Sequence, residues 1–358
     1  MARRSGNRLF SPARRRKTGC LMVIVLFVLA IVVTLSLNAL SNRFVRLEIR
    51  PVTILNLPRQ LERFRILHLS DLNAAKLGNN QANLLASLGK EPYSAVIMTG
   101  DMVGKGGNIQ PLLELGAQIP ANIPKIFITG DSDPHPYYTA PHGDDEVKAE
   151  YIRALESNDF IFLEAPYKLE QDGQIIWFCP GELFMLDLVS AEFSLTEQVN
   201  TLLASDNPYA PQTGAQLRYA QHRLDIIAQS KDAFAEMKPE DTIVAVMHHP
   251  PDTEQLGEMA LLHQEEEVGV TPSLFLAGQF NNGQARLPGL GPIYLPKTSD
   301  RKGGFFPGDE DISGLSIVKG YPLHISPGLG VSGFYPVPVR LFNRPAATIL
   351  ELTSRMTR

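Results

Sequence analysis

The chain has 358 residues, 44% of them hydrophobic, which is enough to bury one large core or two small ones. Its first seventeen residues hold seven basic side chains and no acidic one; the remaining 26 basic and 38 acidic residues give the rest of the chain a net charge of −12. An acidic body repels nucleic acid, so no nucleic-acid partner is expected. Of the two cysteines, Cys20 precedes the main body, so Cys179 has no disulfide partner within it.

The N-terminal region predicts a membrane anchor. Residues 20–37 form an 18-residue apolar stretch without a charged side chain, which is long enough to span a bilayer. We assign residues 20–40 to a transmembrane helix and the arginine-rich residues 1–19 to a cytoplasmic tail, which places the main domain outside the cytoplasm. A cleaved signal peptide is the alternative, but the sequence LNA at 37–39 is a poor small-x-small cleavage site.

The segment 41–61 is a lead-in in which alternating apolar residues predict an edge strand. From 62 to 353, apolar runs alternate with helical patterns, which predicts one α/β domain. The predicted strands are 64–70, 95–99, 125–129, 160–163, 167–170, 174–179, 242–247, 273–277 and 346–352, and the predicted helices are 80–88, 111–118, 145–155 and 215–237. The stretch 186–215 interrupts this pattern; we interpret it as a packed insertion, with a lid or partner surface as the alternative.

Three aspartates follow predicted strands at even intervals. Asp71, Asp101 and Asp131 stand thirty residues apart, each directly after an apolar run that ends in a small residue. Successive βαβ units bring the C-terminal ends of parallel strands to one edge of a sheet, so the three carboxylates are expected to converge there. Converging carboxylates repel one another unless a cation or a proton intervenes, so the spacing predicts a metal site. Helix capping or turn formation after a strand is the alternative interpretation.

Short polar blocks occur in a fixed order along the chain: SDLN (70–73), GDMV (100–103), GDSD (130–133), HHP (248–250) and GQFNNGQ (278–284). Together they resemble the calcineurin-like metallophosphoesterases. The continuation RLPGLG (286–291) and the tail at 324–345 are similar to a bacterial, membrane-anchored branch of that family. The resemblance covers roughly residues 62–353. It implies a four-layer α-β-β-α sandwich of two mixed sheets with helices outside, preceded here by one transmembrane helix.

In that family the blocks read D-x-H, G-D, G-N-H-D/E, H and G-H-x-H. They hold two metal ions that share one carboxylate, activate water and neutralise phosphate charge. The resemblance assigns the first aspartate to Asp71, the bridging aspartate to Asp101 and the lone histidine to His248.

Other positions depart from the family pattern. The amides Asn73, Gln279 and Asn281 stand in place of ligand histidines. Asp131 replaces a ligand asparagine, and Ser132 replaces the histidine that protonates or stabilises the leaving group. Amide oxygens are poor ligands for zinc or iron but acceptable ones for magnesium or calcium. A di-zinc or di-iron centre is therefore not expected, and we expect either no metal or a weakly bound Mg, Mn or Ca ion.

Two functions follow from these replacements. The first is a catalytically degenerate, membrane-anchored protein of this fold that binds a protein partner or a phosphorylated ligand without hydrolysing it, because Ser132 cannot supply a proton as an imidazole does. The alternative is an active phosphoester or pyrophosphate hydrolase, in which carboxylate and amide oxygens hold Mg, Mn or Ca and His248 adds one nitrogen. Nucleophilic catalysis by Ser132 is disfavoured, because no G-x-S-x-G turn surrounds it.

Further histidines lie close to the blocks. His135, His142 and His249 are expected to be structural or surface residues, although the loop after the GDSD block can also fold His135 back over the pocket. His68 is expected to point into the sheet packing. A basic side chain between the carboxylates would make the site a structural ion pair instead of a metal site. The candidates are Lys76, Lys105 and Arg286.

Overall fold

The computed structural model of the chain describes residues 15–143, 145–265, 270–297, 303–308, 312–336 and 338–355. The chain divides into two units, of which the first ends at Arg43 and the second begins at Phe44. In the first unit, helix α1 spans Arg15–Ser41, and its stretch Gly19–Ser41 is long and apolar enough to cross a membrane. A membrane anchor and a signal sequence share these properties, so the helix agrees with both alternatives.

The second unit alternates strands and helices. Its strands are β1 Arg46–Thr53, β2 Arg65–Leu69, β3 Ala95–Thr99, β4 Lys125–Ile128, β5 Phe160–Phe162, β6 Tyr167–Gln171, β7 Gln174–Pro180, β8 Thr242–Val246, β9 Leu274–Ala277, β10 Arg286–Leu287, β11 Gly291–Pro292, β12 Tyr294–Leu295, β13 Gly304–Phe305, β14 Gly314–Val318, β15 Tyr321–Ile325 and β16 Ala346–Thr353. Its helices are α2 Ala82–Leu88, α3 Gln110–Gly116, α4 Glu150–Glu156, α5 Leu188–Leu203, α6 Pro211–Glu236 and α7 Thr253–Glu265. Short 3-10 turns span Arg59–Leu61, Asn79–Gln81, Gly181–Met185 and Asn281–Gly283.

Two six-stranded sheets form the fold, with the orders β1-β16-β2-β3-β4-β5 and β14-β15-β9-β8-β7-β6. In the first sheet, neighbouring strands are parallel except β16 and β2. In the second, the antiparallel pairs lie at the two edges, β14 with β15 and β7 with β6. Both sheets are therefore mixed, which confirms the predicted α/β class with two mixed sheets.

The hydrophobic core has three parts, because side chains alternate between the two faces of a strand. Ile66 of the first sheet and Val244 of the second belong to one cluster, which joins the facing sides of the sheets. The next residue, Leu67, points the other way, into a cluster with side chains of α2, α3 and α4. Cys179 of the second sheet lies in a third cluster with side chains of α6 and α7. It is fully buried, as a small apolar residue would be.

The lead-in segment contributes the first strand of the second unit. β1 runs parallel to β16 from the Arg46–Ala346 pair to the Thr53–Thr353 pair. It occupies the edge of the first sheet, where the alternating apolar residues predicted an edge strand.

Helix α4 begins at Glu150, later than the predicted start of 145. The residues before it run back beside the preceding loop, because the Tyr138 N–H donates a hydrogen bond to the Val147 carbonyl (2.7 Å). This tertiary contact overrides the helical preference of the acidic residues that precede α4.

The insertion at 186–215 contains α5, which packs against α6. Asp187 caps the N-terminus of α5, because its carboxylate accepts hydrogen bonds from the N–H groups of Val189 and Ser190 (both 3.0 Å). None of the side chains of α5 is buried, and Phe193 is 69% exposed.

His68 lies in the core, as the sequence predicted. Its Nδ1 is 2.8 Å from Nδ1 of His324, and its Nε2 is 2.9 Å from Oγ1 of Thr99. Burial lowers the pKa of both imidazoles, that of His324 to about 3, so the pair is neutral at physiological pH. One ring then donates and the other accepts in the hydrogen bond between them.

Candidate metal centre

The candidate centre lies at the C-terminal ends of β2, β3 and β8, where Asp71, Asp101 and His248 each stand two residues beyond the strand. Both aspartates have a φ of +54°, a left-handed conformation that non-glycine residues rarely adopt. The Asp71 N–H donates a hydrogen bond to the Gly100 carbonyl (3.0 Å), which ties the two loops together. Gly100 has a φ of +88°, and a Cβ there would lie 2.6 Å from Nδ1 of His248. Only glycine therefore lets the imidazole approach this closely.

These three side chains are buried, and one ligand atom from each lies within 4.8 Å of the others. The Nδ1–H of His248 donates a hydrogen bond to the Thr99 carbonyl (2.7 Å), which leaves Nε2 facing the site, 3.5 Å from Oδ1 of Asp101. A backbone carbonyl that fixes the far nitrogen in this way is typical of a metal-binding histidine.

Three polar atoms at the centre are buried without a hydrogen-bond partner among the described residues. They are Oδ2 of Asp71, Nε2 of His248 and Oε1 of Gln279. Each is an acceptor or a lone-pair donor, and burying such an atom unpaired costs about 1–3 kcal/mol. A cation in contact with these atoms would satisfy them together, which a single hydrogen-bond donor could not do.

The electrostatics of the centre also favour a cation. Burial, and then the nearby Asp101 carboxylate, raise the pKa of Asp71 to about 7. Burial works against a charge on His248, but Asp101 and then Asp71 outweigh it and raise the pKa of its imidazole. The carboxylates thus attract positive charge, which a proton or a metal ion can supply.

Ser132 donates two hydrogen bonds to Asp101, the carboxylate that the resemblance assigns as bridging. Its N–H donates to Oδ1 (2.7 Å), and its hydroxyl donates to Oδ2 (2.8 Å). Each oxygen keeps a second lone pair. An ion on the Oδ2 side therefore competes with the Ser132 hydroxyl for the negative charge of that oxygen.

Asp131 lies outside the buried group. Its side chain is 46% exposed, and its Oδ1 accepts a hydrogen bond from Nε2 of His249 (3.0 Å), whose side chain is 42% exposed. The bond to His249, helped by a further one from the Gln279 amide, lowers the pKa of Asp131. The structure therefore places Asp131 in a hydrogen bond with His249 at the mouth of the site, whereas Asp71 and Asp101 lie inside it.

Asn281 is fully buried but turns its amide nitrogen, not its oxygen, toward the carboxylates. The nitrogen donates to Oδ1 of Asp71 (3.2 Å), and the amide oxygen accepts from Nη2 of Arg340 (3.3 Å). Asn281 therefore acts as a donor to a ligand oxygen in this arrangement. The half-buried Asn73 makes a weak bond from its amide nitrogen to the backbone carbonyl of Asp71 (3.4 Å).

Arg340 is the buried cation of this region, and the sequence did not predict it. Its guanidinium donates to the carbonyls of Pro327 (2.8 Å), Gly328 (2.9 Å) and Gly330 (2.8 Å). Burial lowers its pKa to about 10, so it remains charged at neutral pH. It holds the loop that lies under Asn281 and gives that loop a fixed positive charge.

Asp133 is a second residue that the sequence did not assign. Its carboxylate accepts the N–H groups of Val103 (2.9 Å), Gly104 (2.9 Å) and Gly130 (3.0 Å), which fastens the loop after β3 to the loop after β4. The GDSD block contains this residue, so its position in the sequence was the available clue.

The other candidate residues lie away from the three ligands. His135 contacts the backbone of Tyr137 (Nδ1 to the carbonyl, 2.8 Å) and does not fold over the pocket, and His142 stacks on Tyr138 with ring centroids 3.8 Å apart. Lys76 and Lys105 are exposed. Arg286 donates to the Asn282 backbone carbonyl (3.1 Å). The side chains that donate to the two carboxylates include the Asn281 amide at Asp71 and the Ser132 hydroxyl at Asp101.

A cavity of about 600 Å³ lies elsewhere, at the opposite ends of the strands. It is lined by the end of β1 and the starts of β8 and β15, with Ile54, Thr242 and Tyr321 among its walls. Among the described residues it contains no group of ligand side chains like that of Asp71, Asp101 and His248, so the buried centre is the candidate site.

The sequence model of the calcineurin-like phosphoesterases matches residues 64–272. The chain belongs to this family. The match includes Asp71, Asp101, Asp131 and His248 and ends before Gln279.

No curated protein sequence matched the chain. Among solved structures, the chain is similar to phosphopantetheinyl hydrolase (PptH) from Mycobacterium tuberculosis, with 11% identity and a TM-score of 0.37, covering 74% of this chain and 89% of that one. A likeness at this level carries no argument about the site.

Proposed function

We propose that this member of the calcineurin-like phosphoesterase family is a membrane-anchored protein that holds one divalent cation and binds a phosphoester there, with slow hydrolysis or none. The observation that carries the proposal is the pair of unpartnered buried atoms, Oδ2 of Asp71 and Nε2 of His248, beside the carboxylate of Asp101. Two carboxylates and one imidazole form a ligand set that suits magnesium or manganese.

When bound, the ion supplies a Lewis-acid contact for a phosphate oxygen. Asp71, Asp101 and His248 would hold it, and the free Oε1 of Gln279 adds an oxygen at the rim. The Thr99 carbonyl keeps the Nε2 lone pair of His248 directed into the site.

Two features argue for slow chemistry. The Ser132 hydroxyl occupies the carboxylate oxygen that a second metal would need. It also stands where the family has an imidazole, and general acid catalysis by such a group contributes roughly 10²–10⁴-fold. A site with one metal ion and no general acid still binds a phosphoester but loses most of the rate of hydrolysis.

An active hydrolase is the second candidate, and the position of His249 favours it. Nε2 of this imidazole lies 3.0 Å from Oδ1 of Asp131 at the mouth of the site. In this candidate, His249 takes the place of the missing family histidine as the proton donor, with the oxygen-rich centre holding Mg, Mn or Ca.

Metal binding and hydrolysis by the full-length protein in detergent distinguish these functions. We expect calorimetry to detect one Mn²⁺ per chain, and hydrolysis of bis-p-nitrophenyl phosphate to stay near the background rate. Rapid hydrolysis that is lost in both Asp71→Asn and His249→Gln would support the active hydrolase. Absence of divalent-ion binding at millimolar concentration would contradict both candidates and favour a purely structural site.

The anchor and the branch of the family belong to the same proposal. The α1 helix, the basic tail and the tail sequence at 324–345 support a bacterial, membrane-anchored protein of the four-layer type, with its N-terminus in the cytoplasm. We expect the protein to remain with membranes after alkaline extraction and its main domain to be accessible to protease from outside. A soluble protein that lacks residues 1–40 would show that α1 is a cleaved signal sequence.

A further inference from the structure

The chain enters the first sheet from the same side as the metal centre, namely the side on which β2 and β3 end. β1 begins at Arg46 and runs parallel to β16, and β16 runs antiparallel to β2, with Thr348 opposite His68. The N-terminal ends of β1 and β16 therefore lie beside the C-terminal end of β2, where Asp71 stands. Phe44, the first residue of the second unit, follows Ser41 at the end of α1 by only three residues. That is at most about 10 Å of extended chain.

The segment 329–345 connects this entry point to the centre. At one end, the Gly330 N–H donates to the Asp71 carbonyl (2.7 Å). At the other end, the Arg46 N–H donates to the Pro345 carbonyl (2.8 Å). Nε of Arg344 also donates to the Phe44 carbonyl (3.3 Å). One wall of the metal centre and the point of attachment to α1 therefore belong to one hydrogen-bonded piece of structure.

This segment differs from an ordinary water-facing loop. Its polar side chains Ser332, Arg340 and Asn343 are buried. Although Leu329 and Tyr335 also point inward, several large apolar side chains are exposed. With Phe44 included, the exposed fractions are 36–58%: Phe44, Val331, Phe334, Val339 and Phe342. We call these five residues the apolar rim. Loops that face water normally expose polar side chains, and a cluster of exposed large apolar ones marks an interaction surface.

We infer that the apolar rim inserts into the interface of the lipid bilayer that holds α1, so that the metal centre opens toward that bilayer. The short connection from Ser41 to Phe44 keeps the rim next to the membrane surface. Phenylalanine and valine side chains together with the exposed Arg344 have the composition of interfacial membrane-binding surfaces, in which apolar groups enter the acyl boundary and cations contact lipid phosphate.

This orientation also limits the chemical class of ligand that can reach the centre, an inference that rests on the proposed function. A centre that opens at the bilayer surface receives phosphoesters whose hydrocarbon part stays in the membrane. The substrate class is therefore an amphipathic phosphoester, with its phosphate at the headgroup level and its chains among the lipids. Water-soluble esters of the same phosphate lack the contact with the bilayer that would concentrate them there.

Fluorescence quenching in vesicles tests the apolar rim. The sequence contains one tryptophan, Trp177, which is 2% exposed in the core and serves as a constant background. We would reconstitute full-length Phe334→Trp and, as a matched control, Phe193→Trp on α5 into phosphatidylcholine brominated near the headgroup. We expect the new emission of Phe334→Trp to fall by about half or more, since an inserted side chain lies about 5–10 Å below the headgroups. The Phe193→Trp control should be unaffected.

Equal, weak quenching of both variants would overturn the inference. The inference would also be overturned if bromine does not quench the Phe334→Trp emission but the emission wavelength changes with the ratio of protein to lipid. In that case a second copy of the chain covers the rim.

Binding tests the ligand class with two phosphoesters, hexadecyl phosphate in vesicles and ethyl phosphate in solution, each measured by calorimetry on the full-length protein with Mn²⁺. We expect the Phe334→Ser/Val339→Ser variant to lower affinity for the hexadecyl ester about tenfold, as loss of apolar insertion predicts, and to leave affinity for the ethyl ester unchanged. Phe193→Ser should change neither. Equal loss with both esters, or none with either, would overturn the ligand class. Failure of the Mn²⁺-loaded protein to bind either ester would contradict the proposed function, and the quenching result would still decide the rim.

Discussion

The inner and outer parts of the candidate centre differ in how firmly the fold holds them. Asp71, Asp101 and His248 are buried, close together and backed by main-chain hydrogen bonds. Asp131 and His249 are about half exposed and bind mainly each other.

The glycines near the inner ligands explain part of this difference. A Cβ on Gly130 would lie 2.3 Å from Oδ1 of Asp101, and one on Gly278 would lie 2.0 Å from Oγ of Ser70. The inner residues are therefore set by close packing of neighbouring loops, which leaves little room for another arrangement. At the mouth, the Asp131 side chain is 46% exposed and is held by its hydrogen bond to His249.

Loss of one inner carboxylate should have the largest effect on metal binding. Asp71→Asn keeps the shape but removes a charged ligand atom, so we expect Mn²⁺ affinity to fall by more than about 100-fold, beyond the loss typical of residues behind the ligands. Asp131→Asn is the matched change at the mouth and should lower affinity less than about threefold. Calorimetry on both variants makes the comparison, and equal losses would show that the two parts of the site act as one.

Arg340 should dominate the stability of the inner part. Arg340→Met leaves the carbonyls of Pro327, Gly328 and Gly330 without their buried donor, so we expect the free energy of unfolding to fall by about 3 kcal/mol. Arg344→Met is the exposed control and should cost about 0.5 kcal/mol or less. Urea denaturation measures both, and a difference below about 1 kcal/mol would show that Arg340 is not the support inferred here.

Ser132→Ala removes the hydroxyl that occupies Oδ2 of Asp101. Because a hydrogen bond to a charged group contributes about 1.5–3 kcal/mol, we expect the metal-free protein to lose about 2 kcal/mol of stability. At millimolar Mn²⁺ the freed oxygen should accept a second ion. Native mass spectrometry that still counts one ion per chain would show that Ser132 does not limit the number of metals.

The pH dependence of metal binding should come from the inner part. The folded-state pKa of Asp71 is raised to about 7, above its ordinary value of 3.8, so the folded protein holds this proton over a range in which the unfolded chain has lost it. The stability of the metal-free protein therefore falls as pH rises through this range. A metal must displace this proton, and also the one that His248 carries where its raised pKa keeps the imidazole protonated, so Mn²⁺ affinity should rise by at least about tenfold per pH unit below pH 7. Calorimetry across pH should give the same slope for Asp131→Asn, and a flat profile would contradict the assignment of Asp71.

The sequence predicted most of the framework, because it depends on local patterns. The buried runs before Asp71 and Asp101 are β2 and β3, within a residue of the expected bounds. Alternation of strands and helices predicted one α/β domain, and the family resemblance carried by the block order implied its two mixed sheets.

What the sequence did not predict depends on tertiary partners. The role of Arg340 rests on backbone carbonyls of a loop more than ten residues earlier, which no side-chain spacing reveals. The orientation of the Asn281 amide is set by that same arginine, so its residue type alone suggested a ligand oxygen where the structure presents a nitrogen. Asp131 was grouped with the other aspartates by spacing, but His249, distant in sequence, holds it at the mouth.

Anomalous diffraction at the manganese edge, from crystals of the full-length protein grown with Mn²⁺, tests the central claim most directly. We predict one peak per chain, in contact with Asp71, Asp101 and His248. A map without a peak, or with a second ion of equal occupancy beside Asp131, would contradict a single-metal centre.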